Sequence, residues 1–493
     1  MTQYDEDSLV KAIGFSLQVL TYIVGVTGCA LDLPTAAQAH RPLLMTSDLV
    51  EKNYIIVADG NEVPADLAAA VTAAGGLITQ SLDVLGIVVA KSHDAAFGES
   101  IARVKGVRGV AEDLIVPWTD PAPSAQSAGE EYAVDQTAHE YGGHETFRVT
   151  QWAPDAVGAP TAWAVGARGA GARVAIVDGG VYDIHPDIAA GLDGPRSASF
   201  VPGQPYNTDV GSFWHGTHVA GIVGARANGF GTVGIAPEAT LIGVKVLHGG
   251  TGAFSWLIGG IVYAATPINR GGAGAHIINL SLGAGLRRSG PELALLFHAV
   301  DRAVMYARRQ GVLAVAAAGN SSVDLDHSAN VYFLPAQSTE VIGVSATGPV
   351  GFGLGATDFD RPASYSNYGL RAIDFAGPGG QFLPPGTASC SLPLEPPGSG
   401  SVTFPCSVFD MVAAPCRGTE APPTFSTCWA AATSMAAPVV SGVAALIVGK
   451  YGPLPPTRIE ARLRDSADDL GKVGHDDFYG AGRVNALRAV QQP

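Results

Sequence analysis

Along most of this chain the apolar positions come in short unbroken runs, not in alternation with polar ones. Beyond residue 150 such runs stand at 174–177, 241–246, 277–280, 313–317 and 341–344. Helix-like stretches lie between them at 215–226, 254–265 and 291–310. Continuous apolar runs alternating with helices predict a parallel sheet covered on both faces, an α/β architecture. Functional residues are then expected where strands end and helices begin. The earlier part reads differently. A strand at 54–57, an Ala-rich helix at 64–74, a strand at 84–90, a helix at 95–104 and a strand at 107–116 succeed one another. With one further strand between the first helix and Val84, the order is β-α-β-β-α-β, a small α+β unit. Residues 117–148, rich in Ala, Ser, Glu and Gly without periodicity, read as a linker.

The apolar stretch at 12–30 is short for a spanning helix and fits the core of an export signal. Ala37-Gln38-Ala39 offers a small-residue cleavage site, whereas Val26-Thr27-Gly28-Cys29 has the form of a lipobox that would anchor the chain through Cys29. Asp5, Glu6 and Asp7 stand ahead of Lys11, where such a signal carries positive charge. The expectation is secretion, with a cell-surface lipoprotein as the alternative. No later run predicts a membrane span.

Composition narrows the classes. The 493 residues are 47% hydrophobic and 15% charged, with 63 Gly and 33 Pro, which describes a loop-rich globular protein. A net charge of −15 repels phosphate backbones and anionic membranes and argues against a nucleic-acid partner. Besides Cys29, the cysteines Cys390, Cys406, Cys416 and Cys428 cluster in a Gly/Pro-rich stretch without histidine companions. That pattern predicts two disulfides in preference to zinc or free thiols, and hence an oxidising compartment. The stretch reads as a stapled surface loop that either borders a cleft or resists proteolysis.

Three motifs carry candidate chemistry. Val174-Ala175-Ile176-Val177 runs into Asp178-Gly179-Gly180, placing a carboxylate at a strand end, where it serves either a turn or a neighbouring histidine. His215-Gly216-Thr217-His218 opens a small-residue helix, so His215 stands at a rim as a candidate general base. Paired histidines also suit zinc, but the HExxH pattern is absent. Thr433-Ser434-Met435-Ala436-Ala437-Pro438 opens an apolar helix to about Tyr451. Ser434 is either a cap or a nucleophile, with a helix dipole and its own N–H directed at a developing oxyanion.

Together these strings resemble the subtilisin family over roughly 151 to the C-terminus, in the order Asp, His, Ser. The resemblance implies a serine endopeptidase with Asp178, His215 and Ser434 as its triad. It makes Asn320, in Ala316-Ala317-Ala318-Gly319-Asn320, an oxyanion donor beside the Ser434 N–H. Ser281-Leu282-Gly283 and Ala318-Gly319 become the edge that binds extended peptide. Asp187 and Asn228 match positions that hold structural calcium; no cofactor serves catalysis. The α+β unit resembles the family's inhibitory propeptide, the other reading being a ferredoxin-like unit with its own ligand. The implied organisation is an export signal at 1–39, a propeptide at 53–116, a linker with the maturation site at 117–150, and a catalytic domain at 151–493 with a cysteine-bearing insertion at 380–428. Partners are polypeptide substrates and the chain's own propeptide, with a membrane involved only through Cys29 or an uncleaved signal and the enzyme acting as a monomer. One departure is Ala432, where the family has Gly; its methyl either narrows access or strains the backbone if φ is positive. A catalytically silent binding protein and a narrow-specificity processing protease are the rival functions.

Overall fold

The computed structural model describes residues 50–119, 133–136, 145–211, 213–287, 290–328, 331–382, 387–418 and 425–491. The export-signal and lipobox readings, with Cys29, lie outside these residues, as does most of the linker.

Seven parallel strands form the central sheet, in the order Phe375–Pro378, Val341–Thr347, Leu313–Ala317, Ile277–Leu280, Arg173–Asp178, Thr240–Lys245 and Ala198–Ser199. Successive residues of a strand face opposite sides, so one run feeds two cores. Val174 and Ile176 pack with the helices His215–Gly224 and Thr433–Tyr451. Ala175 and Val177 pack with Phe254–Ala265 and Gly290–Arg309 on the other face. Both faces are dry, which is why these strands read as unbroken apolar runs. The Thr433–Tyr451 helix is apolar enough to cross a membrane, with mean hydropathy 1.4, but 89% of that window is buried inside the protein.

The early unit is a four-stranded antiparallel sheet, ordered Gly76–Leu82, Ile87–Ser92, Lys52–Ala58, Val107–Glu112. Its two-residue period divides its work. Tyr54 and Ile56 pack under its own helices, Leu67–Ala73 and Phe97–Ala102, while Ile55 and Val57 join the core beneath Phe254–Ala265 and Gly290–Arg309. Two polar clasps add direction. Arg302 donates through Nη1 to the carbonyls of Gly60 and Leu85 and through Nη2 to those of Ala58 and Asp59, at 2.9–3.3 Å. Asp113 accepts from Ser255 N (3.0 Å) and Oγ (2.6 Å), satisfying donors in the first turn of Phe254–Ala265.

The cysteine-bearing stretch is the stapled surface loop expected in its first half only. It contains two hairpins, Ser389–Pro393 with Ser401–Pro405 and Val412–Cys416 with Phe425–Ala430, stapled by Cys390–Cys406 and Cys416–Cys428 respectively. Every residue of Val412–Cys416 is buried, and Phe409 and Trp429 build a core of their own with Phe147. The second hairpin is interior because it closes the sheet side on which His218 sits, while the first is exposed or half-buried over most of its residues.

Candidate active site

The three motif residues arrive from three elements that meet at the carboxyl end of the sheet. Asp178 ends its strand and is 1% exposed. His215 is the first residue of its helix, and its Nδ1 lies 2.9 and 3.0 Å from the two Asp178 oxygens. Such closeness requires Gly216: a Cβ there would come within 2.4 Å of the Gly180 carbonyl. Trp214, just before, has φ 46°, a left-handed conformation costly for a bulky residue. Burial of His215 works against the imidazolium. The charge and hydrogen bond of Asp178, joined by the charge of Asp209, outweigh it and raise the pKa above 6.5.

The serine side is built from neutral hydrogen bonds. Ser434 Oγ donates to the Ser281 carbonyl at 3.2 Å. Ser281 Oγ donates to the Ser434 carbonyl (2.7 Å) and accepts from Asn279, whose own oxygen accepts from Ser441 (2.8 Å). Asn320 Oδ1 accepts from the N–H (2.8 Å) and Oγ1 (2.9 Å) of Thr433, which fixes the amide beside the start of the Ser434 helix. Gly319 N–H donates to Thr433 Oγ1 at 3.0 Å, and Ala318 is held through its carbonyl by Asn367. Gly319 has φ 97°, and a Cβ there would strike Phe333 and Asn367. Ala432 has φ −170°, extended backbone open to any residue, so its methyl adds no strain.

Part of the chain already lies along this edge. Ile115–Pro117 pairs antiparallel with Thr251–Ala253. The apolar pattern predicts one strand over 107–116; the strand ends at Glu112, and 115–117 has a separate partner. Trp118 is fully buried: its N–H donates to Gly250 O (3.0 Å), its Nε1 to Gly252 O (2.9 Å), and its ring meets Phe254 edge-on at 5.0 Å. On the opposite side Gly283 N–H donates to the Trp118 carbonyl at 2.5 Å. Ser281 and Leu282 turn their side chains inward, so what 281–283 offers a peptide is backbone.

His218 and His185 do not join the site. Both are buried and face carbonyls of Phe425–Ala430, His218 Nε2 3.2 Å from Cys428 O and His185 Nε2 3.3 Å from Ser426 O. Desolvation lowers both pKa values to about 3. Among the described residues no group of three or more His, Cys, Asp or Glu is placed to hold a metal.

The calcium candidates present a mixed donor set. Asp187 is fully buried; Oδ2 accepts from Thr232 N (2.9 Å) and Oγ1 (3.3 Å), while Oδ1 has no hydrogen-bond partner. Burial pushes its pKa well above the ordinary range, against those two bonds. The orphaned oxygen suits a hard cation. Asn228 suits it less, because its oxygen accepts from Phe230 N–H and its amide donates to Pro186 O.

The subtilase family profile matches residues 169–482. Thermitase from Thermoactinomyces vulgaris is 32% identical, over 70% of this chain and 97% of its own. The chain belongs to the subtilase family. Subtilisin DY from Bacillus licheniformis is 34% identical, over 66% of this chain and 94% of its own. A solved structure described as a lanthipeptide protease shares 26% identity at a TM-score of 0.56, covering 72% of this chain and 99% of that one. As a subtilase the chain is a serine endopeptidase with a subtilisin-like α/β fold.

Several residues of this subtilase site escaped the sequence reading. Thr433, Asn279 and Ser441 act through hydrogen bonds that only the fold reveals. Trp118 falls within the predicted linker. Lys245 is fully buried and donates to the carbonyls of Gly179 and Leu247. A lysine inside the apolar run 241–246 was the available signal, since a buried ammonium needs partners.

Proposed function

We propose that this subtilase hydrolyses peptide bonds through Asp178, His215 and Ser434, and that it matures by cutting its own linker. The carrying observation is the His215–Asp178 pair standing beside an edge on which residues 115–119 already lie as an extended peptide. Ser434 Oγ turns from the Ser281 carbonyl to His215 Nε2, loses its proton there and attacks the scissile carbonyl. Asp178 holds the imidazole by Nδ1 and stabilises the imidazolium. Asn320 and the Ser434 N–H take the oxyanion. His215 then protonates the leaving amine, and water releases the acyl group.

The unit at 53–116 acts as an intramolecular inhibitor, because its trailing residues fill the place of substrate and Arg302 and Asp113 clasp the rest. The maturation site falls in the linker at 117–150. Two disulfides support secretion into an oxidising compartment. Calcium would bind at Asp187, with Asn228 and loop carbonyls completing the set after a turn of the Asn228 amide, and would supply structural support alone.

Purified wild type and Ser434→Ala, compared on casein with N-terminal sequencing of every band, test the reading. Wild type matures and digests casein; the variant stays full length and inert, a loss on the order of 10⁶. A variant that still matures and digests refutes the assignment of Ser434. The similarity to the lanthipeptide protease favours a second reading, a processing enzyme of narrow range, which a peptide-library profile would show as a single dominant sequence.

A further inference from the structure

The site holds a second carboxylate that takes no part in the bond-making steps proposed above. The Asp209 side chain is 7% exposed. Its two backbone donors, Val210 N–H at 2.9 Å and Gly249 N–H at 3.1 Å, both go to Oδ1. No described residue donates to Oδ2. That oxygen occupies space left open because position 179 is glycine; a Cβ there would lie 2.3 Å from it.

Asp209 borders a cavity of about 260 Å³ together with Asp178, Phe213, Trp214 and His215, and the residue of the chain's own segment that reaches it is Thr119. Asp178 and Asp209 both line the cavity. The Lys245 ammonium, 3.9 Å from Asp209 Oδ1, is already committed to two carbonyls, and His248 lies 3.8 Å from the same oxygen. The Arg417 guanidinium packs on the Trp214 ring, 5.2 Å from its centroid. Asp209 Oδ2 is the acceptor that the described residues leave without a donor. Phe213 and Trp214 give the same cavity an apolar wall, along which a methylene stem can lie while its charged end reaches Asp209.

We propose that Asp209 sets substrate specificity, selecting lysine or arginine at the peptide position that Thr119 occupies. The proposal rests on the protease reading above. The register is defined by Trp118, whose slot against Phe254 places the next residue at the cavity.

The test uses quenched peptides built on residues 113–118 followed by a variable residue, Lys, Arg, Gln, Thr or Glu, with cleavage mapped by mass spectrometry. Wild type should show kcat/KM about tenfold higher for Lys and Arg than for Gln, with Glu lowest, as a partly desolvated charge pair allows. In Asp209→Asn the Lys/Gln ratio should fall to within about twofold, and in Asp209→Glu it should persist. Because each ratio is taken within one enzyme, loss of folded protein does not alter it. Equal rates for Lys and Gln in wild type, or an unchanged ratio in Asp209→Asn, overturn the assignment alone. Failure of wild type to cut any peptide, or casein, overturns the protease reading with it.

Discussion

The helix His215–Gly224 carries two histidines one turn apart, and its two flanks treat them oppositely. On the cleft flank His215 is 20% exposed, bonded to a carboxylate, and holds its proton more tightly than a free imidazole. On the inner flank His218 is fully buried against the carbonyl of Cys428, and its pKa drops to about 3. Burial opposes the charged form in both. What separates them is whether an anion or a neutral dipole is waiting at the ring nitrogen. The cleft flank can cycle a proton; the inner flank can only hold the stapled hairpin in register.

The largest effect should come from making the cleft flank neutral. Asp178→Asn keeps the shape and removes the anion, and kcat on a peptide substrate should fall by about 10⁴. A loss under about tenfold would mean that His215 does not depend on its carboxylate.

A smaller effect separates the unpartnered carboxyl oxygen of Asp187 from the buried histidines His185 and His218. If calcium answers the orphaned oxygen of Asp187, adding calcium over EDTA should raise the melting temperature by about 5 °C, the scale of binding at about a hundred times Kd. In Asp187→Asn the difference should vanish. An equal melting temperature with and without calcium in wild type removes the metal from that site.

The last effect, read one histidine at a time, is a slope. His185 and His218 take up protons near 6.5 when unfolded and near about 3 when folded. Between those values the unfolded chain binds more protons, so stability falls as pH drops, by up to ~1.4 kcal/mol per pH unit for each histidine. Urea unfolding from pH 6 to 4 should show that slope, and His218→Gln should remove one histidine's share. An undiminished slope would place the acid sensitivity elsewhere.

Legibility followed range of interaction. The strands at 277–280 and 313–317 match the observed ones residue for residue, because a strand buried on both faces has nothing polar to interrupt it. Phe375–Pro378 was missed: four residues with Gly and Pro carry no apolar signature, and only the neighbouring strand makes them one. At the proposed site, Asp178, His215, Ser434 and Asn320 stand out from their strings as candidates, and the structure pairs the first two. Asp209 was not, for its position depends on a loop folding back to fill the space beside Gly179.

By itself, then, the order of residues determined the parallel sheet, the small α+β unit and the family, and it supplied the proposed reacting groups, all carried by local periodicity or by short strings. Only the tertiary structure decided the partners: which cysteines join, which histidine meets a carboxylate and which a carbonyl, and which segment lies on the cleft edge. Those outcomes depend on distances between residues tens to hundreds of positions apart, and a hydrogen bond or a Coulomb interaction is set by distance in space.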